Sequence, residues 1–257
     1  MQEIVEVDSD RPQQRILVFD APVRVFHWLL AGAFITAFAL ANLANEHGNG
    51  FIAHMLLGMV IVFMVILRVV WGFVGSRYAR FGSFLFGPRE TASYMSGAIG
   101  RAQTRQYVGH NPGSAWAILA MLLLFLGLGI TGLMNARGSE AAEEVHEVLA
   151  WSVAIIAAIH VAGVILHVVR RKENIVASMV HGHKQGSPAA AIGTPRRWAA
   201  VAFVLMTALW AYALVDGYDR TTQSLTVPLT GTTLQLGEEE DNEAHIAPEN
   251  RRDQDHD

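Results

Sequence analysis

Apolar residues gather in five long runs separated by polar stretches: Val25 to Leu43, Ile52 to Val74, Ser114 to Met134, Val145 to Val169 and Trp198 to Val215. As α-helices rising about 1.5 Å per residue, all five are long enough to cross the ~30 Å hydrocarbon core of a bilayer. The pattern predicts an all-α integral membrane protein, a four-helix transmembrane bundle over residues 25–185 with an additional fifth C-terminal transmembrane helix over 198–215. The small-residue stretch at 186–197 reads as a flexible linker to that fifth helix. Residues 1–24 form a polar N-terminal segment. Residues 216–257 form an acidic tail through Glu238-Glu239-Glu240-Asp241, too poor in apolar surface to fold unaided and so expected to be disordered. The long connection from Gly75 to Gly113 holds Pro88, Pro112 and an amphipathic stretch near Arg89 to Ile99, which predicts an ordered segment along the membrane face.

Arginine and lysine set the expected orientation. Arg11, Arg15 and Arg24 precede the first run, and Arg77, Arg80, Arg89, Arg101 and Arg105 follow the second. Arg170, Arg171 and Lys172 follow the fourth, with Lys184, Arg196 and Arg197 before the fifth. The connection at 45–50 has neither residue type, and the one near Gly138 to Glu144 sets Arg137 against three glutamates. By the positive-inside rule the N-terminus is cytoplasmic and the C-terminus periplasmic, in a bacterial cytoplasmic (inner) membrane. The polar start, with Asp8, Asp10 and Asp20, and the lack of a small-residue cleavage pattern after the first run predict no cleavable signal peptide.

Composition agrees with this class: 52% of residues are hydrophobic, only 16% are charged, and mean hydropathy is positive. The absence of cysteine excludes disulfides, thiolate zinc sites, iron–sulfur clusters and covalent c-type haem attachment. A net charge of −4 and arginines that flank spans point to no nucleic-acid partner. Neither a phosphate-cradling glycine loop nor a nucleophile elbow is present.

Four histidines change the picture. His27, His54, His146 and His160 lie in or at the mouths of apolar runs, where an imidazole without a partner is costly. His146 and His160 are fourteen residues apart in one run, which on a helix is about 21 Å of rise on nearly the same face. With alternating helix directions, His54 lies level with His146 and His27 with His160. Separated pairs suit two haems b, each iron taking two axial imidazoles from facing helices, rather than zinc, which gathers its ligands at one point. Small residues for a flat macrocycle are at hand: Gly58 is one turn from His54, and Gly163 is three residues from His160. Gly32 stands about 140° around its helix from His27 and carries little weight. Gly127, Gly129 and Gly132 thin the third helix, a wall without a ligand.

His167, seven residues past His160 on the same face, is the alternate inner ligand. Arg68, deep in the second run, reads either as snorkelling to headgroups or as a partner of an inner haem propionate. His110 and Asn111, in the polar loop before the third run, are candidate quinone or propionate contacts together with Arg68. His47, His110, His181 and His183 sit in loops and His245 and His256 in the tail, where exposure is the default. Trp28, Trp71, Trp116 and Trp198 fall near the predicted interfaces and read as an aromatic belt.

These residues resemble the bacterial cytochrome b561 family, which includes the b-type cytochrome subunits of nickel–iron hydrogenases. The resemblance is carried by Arg24-Val25-Phe26-His27-Trp28-Leu29, by His54 with Gly58 and Arg68, and by His146-Glu147 followed by His160 and His167. It covers roughly residues 15–185. Gly72 to Phe81 and Gly109-His110-Asn111-Pro112 look like the branch of stand-alone diheme cytochromes often paired with c-type cytochromes. The resemblance implies a four-helix bundle with two b haems on His27, His54, His146 and His160, the same four reached by depth. It also implies electron transfer between the quinone pool, ubiquinone or menaquinone, and a redox partner. The fifth helix and acidic tail depart from the short family members.

The leading expectation is transmembrane electron transfer between quinone and a c-type cytochrome docked on the acidic tail. The alternative is a haem-bearing membrane anchor that relays electrons for a hydrogenase-like or other membrane-attached oxidoreductase subunit. A third class, a metal or proton transporter, predicts a colourless protein.

Overall fold

The computed structural model describes residues 14–44, 48–99, 107–172 and 174–236. His47, Arg101, Arg105, the run Glu238 to Asp241, His245 and His256 lie outside the described residues. Among the described residues, five helices are long and apolar enough to cross a membrane: α1 (Ala21–Leu43), α2 (Asn49–Val74), α4 (Pro112–Asn135), α5 (Glu140–Arg171) and α7 (Arg197–Asp216). Between them lie the amphipathic α3 (Pro88–Ile99) and the short α6 (Ile175–His181). The helix starts follow from local chemistry. Asp20 Oδ1 accepts from the Val23 amide at 3.1 Å and Pro22 pre-sets the first turn of α1; Asn111 Oδ1 accepts from the Ser114 amide at 2.8 Å ahead of Pro112 in α4.

α1 packs on α2, α2 on α4, α4 on α5, and α7 lies against α1 and α2. Gly129 makes the α2–α4 approach close, since a Cβ there would stand 2.6 Å from a Val62 methyl. The core joins Phe26 and Ala37 with Ile61, Met64 and Val65 of α2, Leu122 and Phe125 of α4, Val153 of α5 and Phe203 of α7. Two stripes organise it. His54, Ile61, Val65, Arg68 and Gly72 run down α2, and His146, Val153 and His160 down α5. Val153, seven residues from each histidine and 1% exposed, packs the interior between their two levels.

The stretch at 186–197 is not a flexible tether. β1 (Gln14–Leu17) pairs antiparallel with β2 (His183–Gly186), Gln14 opposite Gly186 and Leu17 opposite His183. Beyond β2 the chain stays fastened: Ile192 N donates to Leu17 O, Ala21 N to Pro195 O, and Tyr78 Oη to Ala190 O. Ala190 is fully buried with Ile16, Val18 and Phe19. Small residues that suit a linker also suit close packing, and here packing wins. Gly182 sits at the centre of this clasp with φ +83°, its carbonyl accepting from the amides of both Val18 and Phe19.

The chain after α7 is likewise folded as far as residue 236. β3 (Tyr218–Asp219), β4 (Ser224–Thr226) and β5 (Thr233–Gln235) form an antiparallel sheet, and Leu225, Leu234 and Leu236 are buried on Ile52 and Leu214. The disorder expected from composition weighed only the tail's own apolar content. Three leucines become sufficient when the ends of α2 and α7 supply the other half of the core.

At Gly182 a Cβ would fall 2.6 Å from the Phe19 carbonyl in a left-handed backbone. Gly182→Ala is expected to cost about 1–3 kcal/mol. Denaturation in detergent micelles should show it, with Gly193→Ala, where a Cβ meets nothing within 4 Å, unchanged.

Candidate functional site

His54 and His146 face each other across the bundle, their ring centres 6.3 Å apart and their planes at 82°. His54 Nδ1 donates to the Ala37 carbonyl of α1 at 2.8 Å. His146 Nδ1 lies 3.0 Å from Thr131 Oγ1, and that hydroxyl donates to the Gly127 carbonyl at 3.0 Å, so it accepts from the imidazole. Both Nδ1 atoms therefore carry protons, and both Nε2 atoms present lone pairs. Gly132 allows the His146 ring to lie close to α4, since a Cβ there would be 3.3 Å from His146 Cε1. Phe51 stacks on the other ring, at 5.9 Å and 19°.

The spacing fits a metal held between two imidazoles. Two metal–nitrogen bonds of about 2 Å, each extended roughly 1 Å to the ring centre, span about 6 Å. Fixing the distal nitrogen on a carbonyl or hydroxyl is how a ligating histidine is oriented. A Cβ on Gly58 or Gly163 would meet nothing within 4 Å, so the backbone one turn from the histidines admits a flat group alongside. The same holds for Gly32.

At the other level, His27 of α1 lies within electrostatic reach of His160, and the α5 histidine that acts on both His27 and His110 is again His160. His167 lies seven residues further along, half-buried. His27 meets Trp28 edge to face, and Trp28 Nε1 donates to the Met179 carbonyl at 3.0 Å. Arg68 stands fourteen residues after His54, the same offset as His160 from His146 on a helix running the same way, which sets it at the level of His27 and His160. It is 3% exposed, and its buried Nη1 has no hydrogen-bond partner. Phe81 underlies the guanidinium at 5.7 Å.

His110 is no exposed loop residue. Its ring packs between Phe19 and Phe84, and Nε2 is buried without a partner. Burial first, then the Arg68 cation, push it down to about 3, so the ring is neutral at pH 7. Two orphaned polar groups, Arg68 Nη1 and His110 Nε2, thus lie within electrostatic reach of each other, a setting that suits an anionic oxygen-bearing group. Asn111, by contrast, has its Oδ1 committed to capping α4.

Sequence reasoning missed the frame behind Arg68. Asp20, fully buried, accepts from Trp71 Nε1 at 3.0 Å through Oδ2 while Oδ1 caps α1, and it is the carboxylate that acts on Arg68. Arg196 covers the Trp71 ring at 5.6 Å. Trp71 therefore belongs to this frame, whereas Trp28, Trp116 and Trp198 are exposed as a belt requires. The Asp20-Ala21-Pro22 string is a helix-start signal that could have found the capping carboxylate.

The profile of prokaryotic cytochrome b561 matches residues 18–182. The chain belongs to that family. A probable Ni/Fe-hydrogenase B-type cytochrome subunit of Rhodobacter capsulatus is 24% identical over 226 residues, 70% of this chain and 85% of the relative. The like-named protein of Bradyrhizobium diazoefficiens is 21% identical over 66% of this chain and 86% of its own length. A probable Ni/Fe-hydrogenase 1 B-type cytochrome subunit of Escherichia coli K12 is 30% identical over 139 residues, covering 45% of this chain and 57% of that protein. No solved structure matches the chain. This cytochrome b561 is a multi-pass membrane protein of electron transport whose cofactor is haem b.

Thr131→Val, which removes the acceptor behind His146, is expected to lower haem affinity about 10- to 100-fold. Haem transfer to an excess of apomyoglobin measures this directly, and Thr131→Ser should retain the haem.

Proposed function

We propose that this cytochrome b561 carries electrons across the membrane through two haems b, one held by His54 and His146 and one by His27 and His160. The observation that carries the reading is the 6.3 Å pairing of His54 with His146, both distal nitrogens engaged. The fourteen-residue offset from His146 to His160 supports a second level about 21 Å away. Haem supplies one-electron chemistry; the polypeptide tunes it through ligand orientation, burial and charge. Arg68 and His110 are assigned to the inner propionates, because their orphaned atoms lie at that level. His160 is preferred to His167 because His167 sits seven residues nearer the end of α5, beside Arg170 and Arg171. The arginine and lysine distribution supports a His27 level at the cytoplasmic side and a His54 level at the periplasmic side of the inner membrane.

We assign one end of this path to the quinone pool, ubiquinone or menaquinone. The other end is assigned to a membrane-attached oxidoreductase subunit of hydrogenase type, a reading supported by the names of the relatives. Copurification of a large metal-containing subunit with the tagged cytochrome from its native membranes tests it. A c-type cytochrome docked on the acidic run Glu238 to Asp241 is the second reading, supported by that run's charge. On that reading, removing the residues after Gly237 slows exchange with a basic c-type cytochrome at low salt, and an unchanged rate rejects it.

Haem quantitation with reduced-minus-oxidised spectra tests the cofactor assignment. Wild type is expected to carry two haems per chain, His146→Ala and His160→Ala one each, and the double variant none. His167→Ala should leave both. A double variant with intact absorption bands overturns the ligand set.

A further inference from the structure

The fifth helix leaves a seam against the bundle that is apolar in its depth and cationic at its rim. A cavity of about 140 Å³ lies between α1, α2 and α7, bounded by Phe26, Leu67, Trp71, Ala202 and Phe203. That is close to the ~150 Å³ in which an apolar protein cavity takes up the six carbons of benzene. Its lining follows α7 from Trp198 to Met206, about 12 Å of helix rise. Val70 and Met206 in its wall are exposed, so it opens sideways into hydrocarbon between α2 and α7. Arg68 also lines it, but the lining is almost wholly apolar and the guanidinium lies over Phe81 within reach of Asp20. The residue therefore turns its methylene stem, not its charge, to the space.

Three arginines stand at the end of the seam where α1 and α7 begin. The two helix starts are joined there, Ala21 N donating to Pro195 O. Arg196 is held left-handed, with φ +50°, a conformation that few residues other than glycine adopt, and its guanidinium covers the Trp71 ring that walls the cavity. Arg197 is exposed and lies within electrostatic reach of Arg24. Arg24 is itself fastened, donating to the carbonyls of Val180 and Asp20, so its charge has a fixed position. Trp28, one turn beyond Arg24, and Trp198, next to Arg197, are exposed as side chains at headgroup depth are.

Like charges gathered at one rim repel, and an anion among them relieves that repulsion. The occupant must therefore carry a negative group at headgroup depth and a thin apolar body that enters from the hydrocarbon. A second copy of this chain fails on charge, because a two-fold contact would set the same arginines against one another. A zwitterionic lipid offers a phosphate but brings its own cation to the arginines.

We propose that the seam between α1, α2 and α7 binds one anionic phospholipid, its phosphodiester on Arg196 and Arg197 with Arg24 beside them, and one acyl chain seated in the cavity along Ala202 and Met206. The lipid completes the contact of the fifth helix with the bundle: its chain covers apolar surface of Phe26, Trp71 and Phe203, and its phosphate offsets the charge at the start of α7. α7 lies outside the stretch matched by the family profile, 18–182, so the site belongs to what this chain carries beyond that stretch.

The test uses the full-length, haem-loaded protein in nanodiscs of mixed phosphatidylglycerol and phosphatidylcholine, with a trace of one or the other carrying a diazirine in its acyl chain. Phosphatidylglycerol is expected to label the 197–216 peptide in preference to phosphatidylcholine. Arg197→Gln should lower that preference about fivefold, the effect of one basic side chain on an anionic lipid, and the Arg196→Gln/Arg197→Gln double variant should lower it further. One phosphatidylglycerol per chain should also survive detergent exchange in native mass spectrometry, and Ala202→Trp, which fills the cavity, should lose it. Haem spectra matching wild type show that a variant is folded; should Ala202→Trp lose haem, the smaller Ala202→Leu is read instead, with the same direction expected. Equal labelling by the two lipids in wild type overturns the site, as does a preference unchanged in Arg197→Gln. Displacement of the label by inorganic phosphate as readily as by unlabelled phosphatidylglycerol reveals a free-anion site and overturns the lipid assignment.

Discussion

A polar side chain inside an apolar span survives only where another helix completes its hydrogen bonding, and the whole bundle is arranged around that constraint. His54 is held by a carbonyl of α1, and His146 by a hydroxyl of α4 that passes its own proton to Gly127. Each imidazole is thereby fixed in tautomer and direction by a helix that carries neither ring. The packing of α1 on α2 and of α4 on α5 is thus also what leaves an Nε2 lone pair free on each of two facing rings. Gly132 and Gly129 belong to the same logic, because the hydroxyl reaches the ring only if α4 lies close to both its neighbours.

The opposite end obeys the constraint through charge. Asp20 has no exposed surface and serves the amide of Val23, the indole of Trp71 and the fields at Arg68 and Arg24. A buried carboxylate is tolerable when both oxygens are hydrogen-bonded and a cation stands near, and here the same atoms start α1 and tie it to α2. One short segment before the first span therefore sets the helix start, the position of an indole and the electrostatics of the inner level.

Much of this was legible in the residues. Five spans, four histidines at two depths and an arginine at the inner level follow from periodicity and from the cost of polar groups in hydrocarbon, which act locally and leave marks along the chain. What was not legible depends on partners distant in sequence. Ala37 and Thr131 matter through a carbonyl and a hydroxyl whose roles appear only when two helices meet. Composition marked the 186–197 stretch and the segment after α7 as loose, because single-segment reasoning cannot count apolar surface supplied from elsewhere. Ala190 and Leu225 are fully buried, on β1 and on the ends of α2 and α7 respectively. His110 misled in the same way: a loop position says little when aromatic rings fold over it.

The β1–β2 clasp joins Gln14 to Gly186, so the first residues described wait for a strand 172 positions downstream. During synthesis the leading strand leaves the ribosome with its edge unpaired and stays so until four spans have entered the bilayer. Closure of this collar thus comes late in assembly, only after both helices bearing His27 and His160 are in place. The order of biogenesis is written into the register of a four-residue ribbon.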